Sequence, residues 1–151
     1  SADAALDTTR IALMLQPTRI EYYARAGWSD RAPSMVQTLM LESFENSEKI
    51  VAVGRRAIGL RADFELKTEL REFQAEYFDG PIRAHVAVNA KLVRAAERAI
   101  VGQETFEAVQ EANVDELPVV VQAFDDALGS VLKRLVEWTL LIGEENYIPP
   151  L

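Results

Sequence analysis

A single α/β domain, with a mixed and largely antiparallel sheet, a long hairpin and helices packed on both faces, is the fold class this 151-residue sequence predicts. Three observations lead there. Residues 61–77 and 82–92 alternate apolar and polar side chains with period 2, as half-buried strands do. Two other stretches, Pro33–Asn46 and Leu117–Ile142, repeat apolar residues at three- and four-residue spacing, as amphipathic helices do. No repeat, low-complexity tract or Gly/Ser linker divides the chain, and 49% hydrophobic content suffices for one good core.

Ser1–Thr9 is small and polar and is expected to be a flexible leader, which leaves residues 10–151 as the domain. Ile11, Leu13 and Leu15 share a phase and predict a strand that Gln16-Pro17 ends, because proline cannot continue a hydrogen-bonded ladder. Arg19–Ala24 reads as a second short strand. A loop carrying Gly27 and Trp28 follows, then the first helix, with Pro33 in its opening turn and Met35, Val36, Leu39, Met40 and Phe44 on its stripe. Ile50–Val53 is a short strand.

The centre of the chain is the hairpin. Phe64, Leu66 and Leu70 occupy one phase, whereas Phe73, Ala75 and Tyr77 occupy the other, so one extra residue near Arg71-Glu72 returns both halves to the same face as a β-bulge. Asp79-Gly80-Pro81 turns the chain, and Ile82, Ala84, Val86, Val88, Ala90 and Leu92 lie in phase beyond it. Residues 90–100 leave two readings open. Lys91–Arg98 has good helical composition; alternatively Ala95–Glu97 is a tight turn and Arg98–Val109 a further antiparallel strand with Ile100 and Phe106 inward. The second helix begins at Leu117, with Asn113 or Asp115 as its cap and Pro118 in its first turn, and Gly143 is expected to stop it.

Composition excludes several functions. Sixteen basic residues against twenty-four acidic ones give a net charge of −8, which disfavours nucleic acid and simple electrostatic adhesion to anionic lipid. No stretch of about 18 apolar residues could span a membrane as a helix. Zero cysteines exclude disulfides, thiolate metal sites and cysteine nucleophiles. Starting at Ser1 without a Met, an apolar signal core or a basic flank, the chain is expected to be a mature or trimmed form.

No catalytic constellation, cofactor site or metal site can be named. The single histidine, His85, falls at a polar-phase strand position and reads as a sheet-face histidine. Asp125-Asp126 and Glu144-Glu145 are adjacent pairs, which a helix points about 100° apart, so neither is preset to share a proton or a metal. Gly54-Arg55-Arg56 is weak support for an anion site. Partner contact is better placed on apolar rings outside the regular elements. Trp28, with Tyr22 and Tyr23, and the tail with Tyr147 and Ile148 are the candidates.

The order of these features resembles the ABC-type transport auxiliary lipoprotein family, the group that includes paraquat-inducible protein C type lipoproteins. The likeness lies in Arg19-Ile20-Glu21-Tyr22-Tyr23 with Trp28, in Leu39, Glu42, Ser43 and Phe44, and in Phe64-Glu65-Leu66 with Leu70 and Phe73. It continues through Val86-Ala87-Val88, Ala90-Lys91-Leu92, Arg98-Ala99-Ile100 and Thr105-Phe106, so it covers Arg10–Ile142. The resemblance favours a strand over a helix at Arg98–Val109. It implies a non-enzymatic periplasmic component of an ABC-type phospholipid transport system, with an MCE-domain protein and an ABC permease/ATPase complex as partners. Tethering by an acylated N-terminal cysteine is also implied, although this sequence carries no lipobox cysteine. It leaves open whether the domain itself carries phospholipid or forms a homo-oligomer. A generic periplasmic adaptor domain unconnected with lipid is the alternative.

Overall fold

The computed structural model describes residues 4–46, 52–53 and 64–147. In chain order the elements are β1 (Arg10–Gln16), β2 (Arg19–Gly27), α1 (Ala32–Asn46), β3 (Ala52–Val53), β4 (Phe64–Glu76), β5 (Arg83–Arg94), β6 (Ala99–Glu111) and α2 (Leu117–Glu145). They form one six-stranded sheet in the order β2-β1-β4-β5-β6, with β3 also paired to β4. β1 and β3 run parallel to β4 on separate stretches of its edge, and every other pairing is antiparallel. The predicted class therefore holds: one α/β domain on a mixed, largely antiparallel sheet built around a long hairpin.

The bulge lies where the change of phase requires it. Leu70 pairs with Val88 and Glu72 with Ala87, so Arg71 is the extra residue. Leu66, Leu70, Phe73 and Ala75 consequently reach the same face, and all are at most 3% exposed.

Both helices pack on that one face, which corrects the expected three-layer arrangement. Gly102, paired with Leu92, lies under α2: a Cβ there would stand 3.0 Å from the Trp138 ring and 3.1 Å from Ile142. A small cavity between α1 and the sheet is lined by Pro33, Val36 and Gln37 with Thr68, Leu70 and Val88, in the same phase as Leu66 and Leu92. The helices also touch each other. Geometry permits this, because five strands about 4.8 Å apart present roughly 20 Å of width, enough for two helices about 10 Å across. The opposite face offers no second apolar phase. It carries Lys67, Glu69, Glu72, Gln74, Glu76, His85 and Asn89, and helix stripes gain nothing by covering charge.

A knot of aromatic rings fixes α2 to the sheet and to the β2–α1 loop. Trp28, Phe73 and Phe124 stand with ring centroids 5.0 Å to 5.1 Å apart, in tilted and edge-on arrangements that aromatic quadrupoles favour. Residues 4–9, expected within a flexible leader, instead carry Leu6 into the core at 4% exposure. Thr9 O accepts from Trp28 N, Thr8 O from Ala32 N, and Asp7 pairs with Arg31.

Residues 90–100 form strand, turn, strand. β5 runs to Arg94, residues 95–98 turn with Arg98 at φ 55, and β6 follows. Phe106 is buried as expected, but Ile100 is 58% exposed. Between Leu92–Gly102 and Val93–Ile100 the register slips by one, which sends Ile100 to the uncovered face. Two helix boundaries also differ from expectation. The residue capping α2 is Glu116, in extended backbone and without a side-chain cap bond, rather than Asn113 or Asp115. Gly143 does not end the helix, which runs to Glu145, and the Asn146 side chain donates to Ile142 O at 2.9 Å. β6 is an edge strand, and Arg134 of α2 donates to its Glu107 carbonyl at 2.6 Å.

Two glycines should respond in opposite senses to an added side chain. Gly102→Val drives methyl groups into Trp138 and Ile142 and is expected to cost about 1–3 kcal/mol. Gly129→Ala, in α2 where nothing lies within 4 Å, removes a flexible residue from a helix interior and should stabilise by about 0.5–1 kcal/mol. Urea unfolding of both variants measures the two signs.

Candidate functional site

The bulge that serves the core also builds the polar face. After Arg71, alternation places Glu72, Gln74 and Glu76 on the uncovered side of β4, and the hairpin register sets Gln74 opposite His85 and Glu76 opposite Arg83. β6 adds Glu107, which pairs with Ala87, two residues from His85. His85 Nδ1 lies 2.6 Å from Glu76 Oε2, and its Nε2 meets Glu107 Oε2. Glu76 Oε1 accepts from Arg83 Nε at 3.1 Å. The amide of Gln74, 2% exposed, donates to Glu72 at 2.5 Å and to Glu76 at 2.9 Å, while its oxygen accepts from Phe73 N at 2.8 Å. One imidazole thus ties β4 to β6 across β5.

Burial opposes charge on Glu76, yet the hydrogen bonds from His85, Gln74 and Arg83 and the His85 charge outweigh it, holding the carboxyl below its ordinary range. Burial likewise opposes the imidazolium of His85. The bonds to Glu76 and Glu107 and the charges of Glu76 and Glu72 prevail, so the ring is held above its ordinary range. With both nitrogens engaged by carboxylates, the charged ring is the form the geometry selects. General acid–base work on a substrate would have to break one of those pairs. Glu72, Glu76 and His85 offer ligand atoms that all lie within 4.8 Å of one another, which makes them the set that could hold a metal ion among the described residues.

Four of the five residues anticipated for partner contact, Trp28, Tyr22, Tyr23 and Tyr147, lie within the described residues. Trp28 is half-buried in the ring cluster with Phe73 and Phe124, so its face is already occupied. Tyr22 donates from its hydroxyl to Ala5 O at 2.9 Å, and the guanidinium of Arg10 stacks 4.6 Å from its centroid. Tyr23 packs against the core, with its hydroxyl buried and without a hydrogen-bond partner. Tyr147 is half-buried, and its N–H donates to Glu144 O at 3.3 Å. Ile148 and Gly54-Arg55-Arg56 lie outside the described residues. Asp125, Asp126, Glu144 and Glu145 are exposed.

A different apolar surface emerges at one end of the sheet. Tyr77 N donates to Met14 O at 2.9 Å, which draws the β4–β5 turn against the β1–β2 tip. Leu15, Ile20, Tyr77 and Phe78 are there 36–49% exposed, and Val114, in the loop leaving β6 at the same end, is 47% exposed. Arg83 stacks 5.6 Å from the Phe78 centroid. Alternation could not reveal this grouping, since it requires β1 to run parallel to β4 with Met14 beside Glu76.

The model of a family described as ABC-type transport auxiliary lipoprotein component matches residues 1–136. An uncharacterized protein of Bradyrhizobium diazoefficiens is 28% identical over 149 residues, which is 93% of this chain but 40% of that protein, so the chain spans less than half the length of this curated relative. The crystal structure of a Xanthomonas campestris protein assigned to family DUF330 superposes with a TM-score of 0.88 at 31% identity, covering 97% of this chain and 82% of that one. A further uncharacterized crystal structure has a TM-score of 0.69 at 10% identity and covers 97% and 87% of the two chains, which shows the shared fold.

His85 stability is fully present below its ordinary pKa of 6.5 and is lost as pH rises through the raised folded value, while Glu76 stability is present above 4.5 and is lost as pH falls through the lowered one. In buffer containing a chelator, the difference in unfolding free energy between the wild type and His85→Gln should therefore be largest between pH 4.5 and 6.5 and shrink at higher pH. A difference that grows with pH would contradict the paired geometry. The Tyr23 hydroxyl, pushed up to about 12 first by burial and then by the Asp115 charge, is a buried donor without an acceptor. Tyr23→Phe should raise stability by about 1 kcal/mol in thermal or urea unfolding.

Proposed function

We propose, since the chain belongs to the family of ABC-type transport auxiliary lipoprotein components, that it is a non-enzymatic accessory subunit bound to an MCE-domain protein and the permease/ATPase complex of a phospholipid transport system. Its place is the periplasm, held to a membrane by an N-terminal lipid. The family match over residues 1–136 is the observation that carries this reading.

The shape of the molecule supports docking over catalysis. Residues 4–9 are fastened beside the Arg10–Gly27 end of the β1–β2 hairpin, whereas Leu15 and Ile20 lie at its far end with Tyr77 and Phe78. A tether leaving upstream of residue 4 would hold the first end and present the apolar end to a partner. Large half-exposed rings at such a place suit an interface core, because buried aromatic anchors dominate interface energy.

Replacing Tyr77 and Phe78 together with Ala should weaken capture of the MCE-domain protein by on the order of 2 kcal/mol per anchor. The unfolding midpoint should stay nearly unchanged, as both rings lie outside the core. Capture from detergent-solubilised membranes, quantified against a Glu137→Gln surface control, measures the effect. Unaltered capture would remove the apolar end as the docking surface, and failure of the wild type to capture any MCE-domain or permease/ATPase subunit would remove the transport reading. Mass spectrometry of an organic extract of the purified protein tests separately whether phospholipid is carried by the domain itself.

A further inference from the structure

The geometry points to a binding site for a divalent transition-metal ion of the Zn2+ class, formed by Glu72, Glu76 and His85 on the uncovered face of the sheet. It is independent of the transport reading. The three side chains come from positions that the fold fixes rather than from a loop: Glu72 and Glu76 four residues apart on β4 beyond the bulge, and His85 on β5. Their ligand atoms lie within 4.8 Å of one another. Four-coordinate zinc with bonds of about 2.0–2.1 Å sets its donor atoms roughly 3.3 Å apart, so small side-chain rotations suffice.

The donors specify the ion. One imidazole nitrogen and two carboxylates suit zinc, nickel or copper, whereas magnesium and calcium seek six or more oxygens. Two negative carboxylates balance a doubly charged ion, and three protein ligands leave a fourth position for water or for a donor from elsewhere. On the ligand atoms the surroundings already divide the work. Arg83 holds Oε1 of Glu76, which directs Oε2 toward His85 and Gln74. Glu107 holds His85 Nε2, so Nδ1 is the coordinating nitrogen, in the carboxylate–histidine–metal arrangement that fixes tautomer and ring orientation. Gln74, 2% exposed, touches both ligand carboxylates. On binding, the ion takes the place of the Nδ1 proton, which passes to solvent, and the 2.6 Å Nδ1–Oε2 hydrogen bond is replaced by two bonds to the metal.

The test titrates the chelator-treated full chain with Zn2+ alone by calorimetry at neutral pH, in two buffers of different ionisation enthalpy. One Zn2+ per chain should bind with net proton release, and Mg2+ at the same concentration should give no saturable heat. His85→Gln and Glu72→Gln should each weaken Zn2+ binding by about tenfold or more. Glu107→Gln, which removes no ligand, should weaken it by about 10- to 100-fold. Circular dichroism checks that each variant folds, and Glu72→Gln changes a half-exposed position outside the core. Absence of saturable Zn2+ binding below about 1 mM would overturn the proposal. Equal affinity in folded Glu72→Gln and wild type would overturn it as well, by showing an adventitious ion only.

Discussion

A strand of thirteen residues that must bury only one of its faces has no freedom in phase, and β4 is such a strand. Everything else in the molecule rests on how that constraint is met. Without Arg71 as an inserted residue, Phe73 and Ala75 would face solvent and Glu72, Gln74 and Glu76 would enter the core. With it, one register slip supplies both the Phe73 wall that Trp28 and Phe124 pack against and the charged row that engages His85. The core and the polar cluster are two outcomes of the same backbone event.

Much of this was legible in the residues. The change of phase from Leu70 to Phe73 located the bulge, the Asp79-Gly80-Pro81 turn fixed the hairpin register, and the stripe from Leu117 onward described α2 closely. What stayed hidden depended on contacts distant in sequence. Two amphipathic stripes predict that two apolar surfaces are needed, but not that one broad sheet face supplies both. Trp28 in a loop reads as exposed until Phe73 and Phe124 are known to converge on it. Ile100 changed faces because of a slip opposite Leu92 and Val93 that no local residue announces. Around His85 the signal was partly present, since the hairpin turn alone pairs Gln74 with His85 and brings Glu72 and Glu76 near it. Glu107 required the register of β6, and that was the stretch where helix and strand readings competed.

The arrangement divides labour between the surfaces. The helices and the aromatic knot occupy one side, the charged row the other, and Leu15, Ile20, Tyr77 and Phe78 form an exposed apolar group at one end of the sheet. The charged face is itself joined to the core strand, because Gln74 accepts from the N–H of the buried Phe73. The charged row is supported by strand backbone, which holds its side chains in fixed relation to one another.

Among the described residues, β6 is an edge strand whose outer margin pairs with no other strand. Thirteen residues of open-edged strand are the kind of template on which chains add to one another without limit, as in amyloid. Arg134, reaching from α2 to the Glu107 carbonyl, occupies one rung of that template with a cation that an incoming strand would have to displace. Glu104, Glu107 and Glu111 along the strand add like-charge repulsion against a second copy aligned in register. A helix side chain thereby guards a strand margin that belongs to another layer, and an incoming strand would have to break that contact before it could pair there.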